Sequence, residues 1–214
     1  MIIGINGYAG TGKDTVGKII ECLTAGYDFD VILKVLLKEG DYRLLPFSDE
    51  TSWEIKKWAG KLKVVANMLT GIPIESFEDQ DFKKTDMPAE WSVHGMPMTV
   101  RDFLQKLGTD GLRDGLHSNT WVNALMSDYK YAPDGVPLAK WIVTDTRFPN
   151  EARAIKDKGG IVIRIDRPGY KPINNHPSEV ALDNWNFDYK IGNTNGLEGL
   201  ILSVSDVLKK ENLI

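Results

Sequence analysis

The residues whose types and spacing could do chemistry begin at Gly7-Tyr8-Ala9-Gly10-Thr11-Gly12-Lys13. Glycines let successive backbone N–H groups turn inward around an anion, where a side chain would block the approach. Lys13 supplies a point charge that can follow β- and γ-phosphate oxygens. A short apolar run, Met1 to Ile5, precedes this stretch, and Thr15 to Leu23 follows it with apolar residues at helical spacing. Strand, glycine loop, lysine and helix form the phosphate-loop arrangement, in which the helix adds its dipole and unpaired N–H donors. Gly10, Thr11, Gly12, Lys13, Asp14 and Thr15 are therefore the candidate contacts to the phosphates of ATP. The usual pattern places a Ser or Thr after the lysine, with its hydroxyl on Mg²⁺; here Asp14 holds that position and Thr15 comes one later. A carboxylate can bind magnesium directly or through water, so Asp14 and Thr15 are both candidate metal ligands. The competing reading is a plain strand-to-helix turn.

A second site strand reads Trp141-Ile142-Val143-Thr144-Asp145. An aspartate at such a strand end can face a phosphate loop and hold Mg²⁺, or serve only as a cap or turn residue. Arg147 stands beside it, and Glu151 follows on the first turn of the next helix. Phosphoryl transfer needs cations on the equatorial oxygens and little covalent help from the protein. Position singles out Arg147 and also Arg101, on the first turn of a helix leading to Gly108-Thr109; Lys61, Arg113 and Arg167 rank behind them. Trp121, near a helix start, reads by spacing as core, with stacking on a base as the alternative. His176 and Glu179 read as part of a polar loop, and three histidines with one cysteine give a zinc site little support.

The elements that must position these groups alternate. After the first helix, Gly26-Tyr27-Asp28 marks a break, Val31 to Leu37 reads as a helix ending at Gly40, and 41–52 as loop. Residues 53–71 fit either one long amphipathic helix closed by Gly71 or a short strand, Trp53 to Lys56, with a helix starting near Gly60. The second reading is adopted, because it sets Ala59 to Lys63 at the carboxyl end of a strand, where such folds bind ligands. Residues 75–91 read as a surface excursion. Thr99 caps a helix that Gly108-Thr109-Asp110-Gly111 interrupts, and Asn119 opens another. Pro149 begins a helix that Gly159-Gly160 ends; Ile161 to Ile165 and Tyr189 to Ile191 read as strands, and Leu197 to Leu208 as the last helix. This alternation predicts an α/β, P-loop NTPase-like fold: a parallel central sheet with helices on both faces, as one kinase domain over 1–214 with an insertion at about 26–52.

At 214 residues, with 42% hydrophobic and 26% charged residues, the chain suits a globular domain. Its net charge of −4 argues against a dedicated nucleic-acid binder. Cys22, the single cysteine, reads as a small core residue. Neither a leader nor a membrane-spanning stretch is expected, which predicts a cytoplasmic protein.

Together these residues resemble the deoxynucleoside monophosphate kinases of tailed bacteriophages. The matching segments are Gly-Thr-Gly-Lys-Asp-Thr at 10–15, Ala59 to Lys63, Thr99-Val100-Arg101, Leu107 to Asp110, Trp121-Val122, Asp145-Thr146-Arg147 with Glu151, Arg167-Pro168, His176 with Glu179, and Asn195 to Glu198. The resemblance covers most of the chain; Gly26 to Ser52 is longer than in that family. It implies transfer of the γ-phosphoryl group of Mg²⁺-ATP to a deoxynucleoside monophosphate (dNMP), in the host cytoplasm if the chain is phage-encoded. Arg101 and Arg147 would clamp the acceptor phosphate, Trp121 would carry the base, Asp145 would position metal or acceptor, and Glu151 the sugar or the neighbouring arginine. Lys61, Gly108 and Thr109 would complete the acceptor site, with no nucleic-acid or membrane partner and a homodimer allowed. Two other readings remain open: a small-molecule kinase of the phosphomevalonate type, and a non-catalytic NTP-binding switch.

Overall fold

Ile2–Asn6 forms the first strand, β1, and every residue in it is buried. A run so uniformly apolar suits a parallel strand covered on both faces. The computed structural model describes residues 1–37, 53–173 and 176–214, so the expected helix end at Gly40, the loop 41–52 and most of the 26–52 insertion lie outside the described residues. Those residues form two compact units, one of 1–57 with 129–214 and one of 58–128.

In the larger unit β1 leads to α1 (Lys13–Thr24) and α2 (Phe29–Leu37), then to β2 (Trp53–Lys56). Beyond residue 128 come β3 (Lys140–Val143), α6 (Pro149–Lys156), β4 (Ile161–Asp166), α7 (Pro177–Val180), β5 (Tyr189–Gly192) and α8 (Gly196–Lys210). The five strands are all parallel, in the order β2-β3-β1-β4-β5. Alternation along β1 assigns the faces. Ile3 and Ile5 pack with Val16, Ile19 and Ile20 of α1 and with Leu200, Ile201 and Val204 of α8. Gly4 points the other way, where a Cβ would lie 2.5 Å from Ile155 of α6. Helices therefore cover both faces, as expected. On α1, a Cβ at Gly17 would meet the Thr144 methyl at 2.7 Å, so the missing side chain lets the helix lie directly on β3.

The smaller unit has α3 (Ala59–Thr70), α4 (Val100–Gln105) and α5 (Thr120–Met126). The strand-then-helix reading of 53–71 holds, with Gly71 as the left-handed cap of α3. Thr99 caps α4 by accepting from the Asp102 N–H at 3.1 Å.

Three expectations change. The stretch read as a surface excursion folds into three 3₁₀ turns, Ile74–Glu78, Phe82–Lys84 and Ala89–Trp91. They carry Phe77 and Met87 into a core with Ala66, Met98, Val100 and Phe103. Gly108 to Gly111 does not interrupt the helix: Lys106–Asp114 continues as a π-helix, with Gly115 N–H bonded to Asp110 O at 3.0 Å. The glycines loosen the winding without breaking it. The supposed polar loop at 176–179 is the short helix α7, capped by the His176 side chain with Pro177 in its first turn.

Candidate active site

The order β2-β3-β1-β4-β5 sends the connection after β1 to one side and the connection after β3 to the other. The carboxyl ends of β1 and β3 thus flank a topological switch point, where open parallel sheets bind ligands. The glycine loop leaves the first strand there, and the Asp145–Arg147 turn leaves the second.

Gly12 is the N-cap of α1 at φ 103°, a left-handed conformation that a side chain would strain. Its missing Cβ also leaves room for Asn193, whose amide donates to Thr11 O at 3.0 Å. Thr11 is buried and donates its hydroxyl to Tyr8 O at 2.9 Å. The same carbonyl accepts the Lys13 ammonium at 2.7 Å. Burial, with the like charge of Arg147, lowers Lys13 to a pKa of about 8, against the pull of Asp14, Glu179 and Asp145. Burial is the largest of these causes, and the four charged groups act on the lysine in opposite directions.

Asp14 accepts from the Thr144 hydroxyl at 2.9 Å and lies 3.5 Å from the Lys57 ammonium. Desolvation opposes its ionisation, but Lys57, Thr144 and Lys13 outweigh it and hold the carboxyl below its ordinary value. Among the described residues no three His, Cys, Asp or Glu side chains converge as a metal cage. Asp14, Thr15 and Asp145 carry oxygen donors of the kind Mg²⁺ prefers, since that ion is held by one or two carboxylates together with substrate phosphates.

Arg147 donates to the Glu179 carboxylate at 2.7 Å and to Ser178 O at 3.3 Å. Glu151 is buried, and its Oε2 accepts the backbone N–H groups of Arg147 at 2.7 Å and Phe148 at 3.0 Å. It fixes the turn that carries the arginine and the start of α6, which is half of a capping box. Arg167 is exposed beside the loop, 3.3 Å from Gly10 O and 4.8 Å from the Tyr170 ring centre.

The smaller unit holds the other candidates. Arg101, on the first turn of α4, donates to the Gln80 amide oxygen at 3.3 Å. Gly108 and Thr109 are buried in the π segment. Trp121 is buried too, and its indole N–H donates to Gly108 O at 2.7 Å, so in this structure it anchors that segment. Lys61 is exposed and pairs with Asp128 at 2.9 Å, and Arg113 lies 3.9 Å from Asp114.

Reading the sequence alone missed Arg164, which lies buried in β4. It donates to Asn6 Oδ1 at 2.6 Å and Asp166 Oδ1 at 2.9 Å, and its guanidinium lies 4.4 Å from the Tyr8 ring centre. The signal was present: an arginine among isoleucines in a central strand demands partners.

A parallel sheet whose first strand runs through a glycine loop into a helix defines the P-loop α/β class. Within that class the chain belongs to the deoxynucleotide monophosphate kinase family, whose model matches residues 67–204. It is 31% identical over 148 residues to the deoxynucleotide monophosphate kinase of Enterobacteria phage T4, covering 68% of this chain and 53% of that protein. To the deoxynucleoside-5′-monophosphate kinase of Escherichia phage T5 it is 24% identical, covering 85% of each. A relative from Acanthamoeba polyphaga mimivirus is 43% identical over 91 residues, 39% of this chain and 47% of that protein. The chain thus spans about half the length of the mimivirus and T4 relatives.

Proposed function

We propose that this chain transfers the γ-phosphoryl group of ATP to a deoxynucleoside 5′-monophosphate, giving ADP and a dNDP. The observation that carries the reading is Lys13, set behind a left-handed glycine at the sheet's switch point and bonded to the loop's own Tyr8 carbonyl, with Arg147, Asp14 and Asp145 acting on its charge. The family match and the names of the phage relatives support it.

Backbone N–H groups of Gly10 to Thr15 and the Lys13 ammonium hold the donor's phosphates. Lys13 stays charged there because an anion restores what burial and Arg147 take from its pKa. Arg147 neutralises and orients the acceptor phosphate with Asp145 beside it in the chain, and Arg101 is the candidate acceptor clamp carried by the smaller unit. Lys61, Gly108, Thr109 and Trp121 shape the acceptor site in the smaller unit, and Arg113 and Arg167 add positive charge toward nucleotide. Magnesium, held by Asp14, Thr15 and Asp145, would supply charge neutralisation on the transferring phosphates. The acceptor phosphate is already a nucleophile, so catalysis is alignment plus electrostatics, and Glu151 contributes by holding the Arg147 turn. We place the protein in the cytoplasm, where its substrates are, as one kinase domain binding neither nucleic acid nor membrane. Among the described residues no helix is long and apolar enough to cross a membrane.

The test is ADP release from Mg²⁺-ATP across the natural ribo- and deoxyribonucleoside monophosphates and phosphomevalonate. Release that depends on a dNMP is expected. ATP turnover indifferent to every monophosphate would make the chain an NTP-binding switch, and turnover with phosphomevalonate alone would replace the acceptor.

A further inference from the structure

The larger unit's hydrogen bonds close a circuit that neither the P-loop motif nor the family match describes. Glu179, on α7, has only 4% of its side chain exposed, and it holds the guanidinium of Arg147, which is 40% exposed. A buried carboxylate thus holds one nitrogen of an arginine that stays partly exposed. Past the end of α7, Asp183 accepts the Tyr8 hydroxyl at 2.9 Å. Tyr8 belongs to the glycine loop, and its carbonyl is the group that receives both Thr11 and Lys13. Arg164 lies against the Tyr8 ring and bonds Asn6 Oδ1, while the Asn6 amide donates to Thr146 O at 2.7 Å, immediately before Arg147. Every step in this ring is a hydrogen bond, an ion pair, a ring contact or one short backbone link. Burial opposes the charge on Arg164, but bonds to Asp166 and Tyr8 outweigh it, so the guanidinium remains charged.

We propose that Pro177 to Asp183 positions both cation-bearing loops, Glu179 by aiming the Arg147 guanidinium and Asp183 by holding the glycine loop through Tyr8. Glu179 and Asp183 are positioning residues: neither needs to touch substrate. Two tethers four residues apart in the chain fix the loops relative to each other more closely than either strand end could. The Glu179 tether is buried and the Asp183 tether faces solvent, so the first is the stronger. The kinetic consequence rests on Arg147 acting as the acceptor clamp; the mechanical one does not.

The experiment uses the full chain and two readouts. Glu179→Ala should raise amide hydrogen exchange in residues 144–148, and Tyr8→Phe should raise it in residues 7–13. In the kinase assay Glu179→Ala should raise the monophosphate KM on the order of tenfold with the ATP KM held within about twofold, and Tyr8→Phe should do the reverse more weakly. Glu179→Gln keeps an oxygen for the guanidinium and should recover most of the acceptor KM. Unchanged exchange at 144–148 in Glu179→Ala, or both KM values rising together in Glu179→Gln, overturns the proposal. General destabilisation would show as faster exchange throughout β1, β3 and β4, and Glu179→Gln then decides by exchange at 144–148. A wild-type chain that releases no ADP with any monophosphate refutes the functional reading alone, since exchange still reports the tethers.

Discussion

The two units bury apolar surface by different means. In the larger, five parallel strands and the helices packed on them repeat a regular backbone, and polar side chains are tied at the strand ends. In the smaller, three helices, 3₁₀ turns and a π segment surround a core of a few large side chains, Phe77, Met87, Met98 and Phe103 among them. A regular sheet distributes its stability over many equivalent ladder bonds and contacts. An irregular core concentrates it in a few anchors, so its backbone can take windings that a repeating element cannot.

Changes that separate the two kinds of construction test this contrast. Lys13→Ala should leave both folds intact, by circular dichroism and exchange, while lowering turnover by roughly 10²–10³-fold, the effect of removing one preorganised charge-stabilising donor. Phe77→Ala should cost about 3–5 kcal/mol of stability, because the ring is fully buried and its neighbours cannot close the cavity. Hydrogen exchange should then rise across 58–128 while ATP affinity, measured by calorimetry, stays within about twofold. A uniform rise over both units would erase the distinction. Arg101→Ala should raise the dNMP KM by about tenfold, or ~1.4 kcal/mol, and leave the ATP KM unchanged.

The smallest effect belongs to Cys22, within α1 of the larger unit. Burial, then the nearby Glu21, pushes its thiol up to about 11. The folded chain thus keeps the proton where the unfolded chain, near 9, has begun to lose it. Its contribution to stability is present below pH 9 and fades as pH rises toward 11. A thiol reagent at pH 8 should label Cys22 only after denaturation, and Cys22→Ala should leave both KM values unchanged.

The same contrast explains what was legible in the sequence. β1, α1, β3, β4 and α8 could be read because burial on both faces of a parallel sheet forces apolar runs and helical stripes. Alternation of Trp53 and Ile55 with Glu54 and Lys56, and the placing of Ala59 to Lys63 at a strand's carboxyl end, separated β2 from α3. The π segment could not be read, since side-chain spacing does not reveal whether an N–H bonds four or five residues back. Phe77 sits in a 3₁₀ turn and Met87 in the extended stretch between two of them, neither with a period, so nothing marked them as core. At the site the glycine loop, Asp145 and Arg147 were visible as types at fixed offsets. Glu179 and Asp183 were not identified as tethers, because their partners lie 32 and 175 residues away. Trp121 read by spacing as core, and the structure buries it on Gly108 O.

The bond from Lys13 to the Tyr8 carbonyl has a thermodynamic consequence. Under the proposed function, an incoming polyphosphate would have to outcompete an internal acceptor for the ammonium, so its binding would be an exchange of partners. A charge-assisted hydrogen bond of this kind is worth about 1.5–3 kcal/mol, and that sum would be subtracted from every anion alike. Solitary orthophosphate, with few other contacts, would then lose more of its hold than a triphosphate spread along the loop.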